Sequence, residues 1–114
     1  MVLAFAENYL FQGFTSSTVI NNVYYILKKS GGDLNARFFI KTLLKYIVIL
    51  SVDQNDIENA IESDFSDFED AVQNSVASRN YCDIIVTRNI SDFKKSKILI
   101  NMPIELLKTF KEKL

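Results

Sequence analysis

Two short apolar runs constrain the fold of this chain more than any other feature. Ile47-Val48-Ile49-Leu50 and Ile84-Ile85-Val86 contain no polar residue. Unbroken runs of this length mark strands expected to be buried on both faces, as in a parallel sheet covered by helices. The stretches around them supply those helices. Val19, Ile20, Val23, Ile26 and Leu27 have helical spacing, which predicts a helix from Ser17 or Thr18 to about Lys29, ended by Ser30-Gly31-Gly32. Asp33 opens a further helix to about Lys45, with Phe38, Leu43 and Leu44 inside, and Asp53 caps one running to about Glu62. Ser66-Asp67-Phe68-Glu69 reads as a capping box. It opens a helix to about Asn80 whose buried stripe is Phe68, Ala71, Val72, Ser75 and Val76. Short strands at 13–16 and 97–100 and a helical turn at 91–94 follow from the remaining pattern. Terminal helices are expected at 2–10 and from Pro103 to near Lys113. Strands alternating with helices predict an α/β fold: a three-layer α/β/α sandwich with a mostly parallel central sheet, one domain over residues 1–114.

Composition narrows the chemistry. There is no histidine and one cysteine, Cys82. That excludes a Ser-His-Asp triad, a Cys/His metal site and an intrachain disulfide. Cys82, in an Ile/Val-rich segment, is expected to be a small buried hydrophobe. Metal chemistry here has to run on carboxylates and amides, ligands that suit Mg²⁺ or Mn²⁺. No apolar run reaches the roughly 20 residues of a membrane span, and the first residues lack a basic signal-peptide region. A cytoplasmic location is the expectation.

The net charge of -1 conceals a segregation. Residues 51–83 hold nine acids and one arginine, between flanks that hold twelve of the thirteen Lys/Arg residues. An acidic middle between basic flanks could set metal-binding carboxylates beside a cationic rim for phosphates. It equally suits helices that each carry their own solvated charges.

Within that acidic stretch Asp67, Asp70 and Asn74 follow helical spacing and fall within about 60° of one another. One face therefore offers two carboxylates and an amide, a set that Mg²⁺ or Mn²⁺ would accept. Acids in a first turn are also favoured by the helix dipole alone. Asn21 and Asn22 stand in an otherwise apolar and aromatic stretch. Thr87, Arg88, Asn89 and Asp92 follow the strand at 83–86, where ligands of parallel sheets bind. Asn89 and Asp92 could close a metal site with Asp70, and Arg88 could meet a phosphate.

Phe68-Glu69-Asp70-Ala71-Val72-Gln73, then Ala77, Cys82-Asp83-Ile84-Ile85-Val86-Thr87-Arg88-Asn89 and Asp92-Phe93, resemble the second half of a PIN domain. Ser16-Ser17-Thr18 through Asn22-Val23-Tyr24-Tyr25-Ile26-Leu27 resemble an earlier helix of that family. The family includes the VapC-type toxins of bacterial toxin–antitoxin pairs and other small ribonucleases. The resemblance implies a nuclease that cuts single-stranded RNA with Mg²⁺ or Mn²⁺ held by several acids. It places Asp70 at the family's central acid, Asp67 at an acid some members share, and Asn22 where a glutamate is usual. Asn89, or nearby Asp92, matches the last acidic position, and Thr87 a residue near the metal. The family's first strand ends in an Asp-Thr-Asn-type motif that carries the main metal ligand. Nothing in residues 1–15 fits it, so the chain is expected to lack that strand and to pair its bare edges with another chain.

Two functions follow from these expectations. One is a metal-dependent endoribonuclease in which Asp70 and Asp67 are catalytic, its partners RNA and an antitoxin protein. The other is a non-catalytic PIN-like module for protein–protein interaction or homo-oligomerisation. A signalling receiver-like domain is disfavoured, since no acidic pair ends a first strand.

Overall fold

The computed structural model describes residues 12–87 and 90–101. The helices expected at 2–10 and after Pro103 lie outside them. The chain divides into two compact units, one spanning residues 3–51 and the other chiefly residues 52–114.

The first unit is a strand, a helix and a strand. β1 (Gly13–Ser16) pairs in parallel with β2 (Ile47–Leu50), Gly13 opposite Ile47 and Ser16 opposite Leu50. Between them runs α1 (Ser17–Leu43). The cap is Ser16, one residue earlier than expected; its Oγ accepts the Val19 N–H at 3.4 Å. The expected break at Ser30-Gly31-Gly32 is present as a kink without a loop. Gly32 has φ 85° and ψ 171°, a conformation open essentially to glycine alone. A clasp spans it: the Tyr24 hydroxyl donates to the Asp33 carboxylate, and Arg37 Nε donates to the same group at 3.0 Å.

Two expectations fail in this unit. β2 is not buried on both faces, because Ile47 is buried while Val48 on the opposite face is 45% exposed. Phe38 and Leu44, expected inside, are 71% and 53% exposed. A two-stranded sheet and one kinked helix offer too little surface to cover every apolar side chain they carry.

The second unit holds α2 (Gln54–Glu62), α3 (Phe68–Arg79), β3 (Ile84–Val86), a 3-10 turn (Ile90–Phe93) and β4 (Leu99–Asn101). β3 pairs in parallel with β4, Ile84 opposite Leu99. Asp53 caps α2 in a full capping box: its carboxylate accepts the Asp56 N–H, and Asp56 accepts the Asp53 N–H. Ala77, Ile85 and Phe93 are buried together, with Phe65, Cys82, Ile98 and Ile100 packed on them. Phe65 meets Phe93 edge-on at 5.8 Å. Cys82 is half-buried there. Burial, then the Asp83 charge, pushes its thiol up, as befits a small apolar filler rather than a nucleophile.

α2 and α3 are joined by a buried ion. Asp56 has no exposed surface, and its two oxygens take Ser75 Oγ at 2.8 Å, Arg79 Nη2 at 2.9 Å and Arg79 Nε at 3.3 Å. Burial alone would raise this carboxyl. The Arg79 guanidinium, the Asp53 backbone N–H and the Ser75 hydroxyl outweigh it and hold the group below its usual range.

α3 ends in a Schellman motif on a residue that is not glycine. Tyr81 has φ 57°, the Tyr81 N–H reaches Ser78 O at 3.1 Å, and the Cys82 N–H reaches Ala77 O at 2.9 Å. Cys82 then packs back on Ala77 and directs the chain into β3. The architecture is α/β, with parallel strands in two separate two-stranded sheets among the described residues.

Candidate functional site

α3 sets the candidate site. Its first turn brings Asp67, Glu69 and Asp70 together at the positive end of the helix dipole, where negative charge is favoured. Asp67, not Ser66, is the cap. Its Oδ1 accepts the Asp70 N–H at 2.9 Å, so the expected Ser66–Glu69 capping box does not form. An ionised carboxylate is a stronger acceptor than a hydroxyl, and Asp67 already has the extended backbone a cap needs (φ -109°, ψ 121°). Asp67 is thus exposed and spends one oxygen on the helix.

Asp70, three residues after Asp67, is half-buried. The 3-10 turn Ile90–Phe93 folds back on α3 and brings the Asp92 carboxyl near that of Asp70. Burial raises the Asp70 carboxyl first, and the charges of Asp67 and Asp92 raise it further, to about 6.

The other expected residues fall as follows. Thr87 is buried at the carboxyl end of β3, just after Val86. Asn74, one turn beyond Asp70, accepts the Ser96 hydroxyl at 2.5 Å, which ties α3 to the loop after the 3-10 turn. Asn22 is exposed on α1 in the first unit. Arg88 and Asn89 lie outside the described residues. Among the described residues no group of three or more acids, cysteines or histidines is arranged to enclose a metal ion.

Sequence reasoning missed the Asp56–Ser75–Arg79 network. Its members are 19 and 23 residues apart, and the sole local signal was the Asp53/Asp56 pair of the capping box.

A family model described as PIN domain matches residues 1–91 of the chain. Comparisons with curated proteins and with solved structures gave no match.

Proposed function

Because the chain belongs to the PIN domain family, whose members are generally nucleases, we propose that it is a metal-dependent ribonuclease. Asp70 and Asp92 are its paired metal ligands, and Mg²⁺ or Mn²⁺ is its cofactor. The observation that carries this reading is the crowding at Asp70. A carboxyl lifted to about 6 by burial and two neighbouring acids is a site where a cation would relieve repulsion.

The residues fit such an ion. Mg²⁺ is commonly held by one or two carboxylates, with waters and substrate phosphate completing its shell. When bound, it would supply an activated water and charge stabilisation at the phosphodiester. Asp70 must be ionised to hold it, so affinity should fall as pH drops below about 6. Asp67 stays on its cap and adds negative field. Thr87 and Asn89 are the further oxygen donors we assign to the end of β3, Arg88 the phosphate contact, and Asn22 an outlying polar group. The reading takes residues 1–114 as one domain of the three-layer sandwich type, acting on RNA. An antitoxin partner and the cytoplasm are the setting the family implies.

A second reading, a non-catalytic module for protein interaction or homo-oligomerisation, is favoured by one observation. α1 exposes Tyr25, Ile26, Leu34 and Phe38 at 62%, 67%, 83% and 71%, more apolar surface than one short helical stretch usually leaves to water.

Calorimetric titration of Mn²⁺ at pH 7.5 tests the first reading. The parent chain should bind, and Asp70→Asn should lose at least tenfold in affinity. Absence of binding by the parent, with no metal-dependent cutting of single-stranded RNA, would leave the second reading.

A further inference from the structure

A groove of about 470 Å³ runs between α2 and α3, beside the acids but distinct from them. Its walls carry neutral polar groups. Asn55 and Asn59 come from α2, Asn74 and Ser78 from α3, and Phe65 from the connecting loop. Arg79 reaches it, but its charge is balanced by Asp56 at 2.9 Å and Asp53 at 3.6 Å. The groove therefore has hydrogen-bonding capacity without a net cation, which is wrong for a phosphate and right for an uncharged ligand.

The amides are oriented by the network behind them. Buried Asp56 takes the Ser75 hydroxyl proton, so Ser75 Oγ accepts from Asn59 Nδ2 at 3.1 Å. That leaves the Asn59 side-chain carbonyl, opposite the bonded NH₂, as an acceptor without a partner among the described residues. Asn74 has the opposite arrangement. Its Oδ1 takes the Ser96 hydroxyl, which leaves its NH₂ as donor. An acceptor and a donor on facing helices suit the alternating edge of a nucleobase, and amides are the side chains that pair with such edges. The half-buried Phe65 adds an aromatic surface for a flat heterocycle. The volume lies within the range of small-molecule pockets.

We propose that the α2–α3 groove is a nucleobase-binding subsite, read by the Asn59 carbonyl and the Asn74 amide. Asn74 stands one helical turn, about 6 Å, from Asp70. The subsite would therefore take the base flanking the phosphodiester held at the acids, a placement that rests on the ribonuclease reading. Base selectivity would come from the groove, and the phosphate would be left to the acidic pair.

The experiment is side-chain amide NMR of the intact chain titrated with adenosine, cytidine, guanosine and uridine. Nucleosides lack phosphate, so the readout does not depend on metal. The Asn59 and Asn74 NH₂ signals should shift, with one nucleoside binding several-fold tighter than the others. Asn74→Asp keeps the side-chain shape but removes the donor, and should weaken binding at least tenfold. Asp70→Asn should leave the shifts in place while abolishing the separate Mn²⁺ response. Unmoved Asn59 and Asn74 signals at millimolar nucleoside would overturn the subsite whatever the metal titration shows. Equal binding by parent and Asn74→Asp would do the same. Failure of Mn²⁺ binding with the nucleoside shifts intact would instead overturn the ribonuclease reading alone.

Discussion

The two units of this chain carry similar amounts of apolar sequence, but the second buries a larger share of it. In residues 52–101, Ile85 and Phe93 are 0% and 2% exposed, and the one buried carboxylate is fully partnered. In residues 12–51, α1 and β2 leave Phe38, Leu34 and Val48 in solvent, and the buried Thr15 Oγ1 has no hydrogen-bond partner among the described residues. A buried hydroxyl without a partner is rare and unfavourable. The difference teaches that apolar content does not make a core. The second unit closes because a Schellman turn and a 3-10 turn return the chain onto α3, so helices and strands share one cluster. Among its described residues, the first has one helix and two strands and no further element that folds back on the exposed face.

The sharpest way to break the comparison is the same substitution in both units. Phe93→Ala removes a ring from a closed cluster and should cost about 3–5 kcal/mol in urea unfolding. Phe38→Ala should change the stability of the chain by less than about 0.5 kcal/mol. Equal losses would mean that the first unit is as tightly packed as the second.

Backbone strain gives the next largest effect. Gly32 has open space where a Cβ would stand, so Gly32→Ala meets no clash, but its φ of 85° with ψ 171° is closed to alanine. A loss of about 1–3 kcal/mol is expected in thermal or urea unfolding. In the second unit the sign reverses. Tyr81 occupies the left-handed region at φ 57° and is 91% exposed. Tyr81→Gly should therefore gain up to about 1 kcal/mol, since no packing is lost. A loss would show that the Tyr81 ring has a partner.

The smallest effect depends on pH and is read at two carboxyls of the second unit. Asp70 titrates at about 6 in the folded chain against an ordinary 3.8. A raised folded value means that its favourable contribution is complete below about pH 4 and is lost as pH rises through 6. Asp70→Asn should therefore be more stable than the parent at pH 7.5, by about 1 kcal/mol after solvent screening, and no different near pH 4. Asp56 runs the other way. Its lowered carboxyl stabilises the fold above about pH 4, and that contribution disappears in acid. Urea midpoints measured from pH 4 to 8 separate the two. A parent whose stability does not fall between pH 4 and 6 would remove the crowding at Asp70.

Much of this was legible in the chain order of residues. The apolar runs 47–50 and 84–86 are strands, Asp53 and Glu62 bound a helix, and Gly32 breaks another. Each of these follows from local rules of capping, glycine freedom and continuous hydrophobicity, which act within a few residues. The family resemblance singled out Asp70, and the sequence offered Asp92 as a group that could join it; the structure brings the two near each other. Asp67 was legible as an acid but not as a cap, because Ser66 next to it satisfies the same local rule.

What the tertiary structure alone decided involves residues far apart in the chain. Residue spacing on α3 could place Asp70 on a polar face. Burial and then Asp67 raise its carboxyl most, and only the 3-10 turn, 22 residues later, adds the Asp92 charge to them. Arg79 carries no signal of its own role, since its charge matters only because α2 buries Asp56 against α3. The exposure of Phe38 and Val48 is likewise invisible to hydrophobic periodicity. Periodicity says which face of an element is apolar, but whether that face is covered depends on what the rest of the chain packs against it.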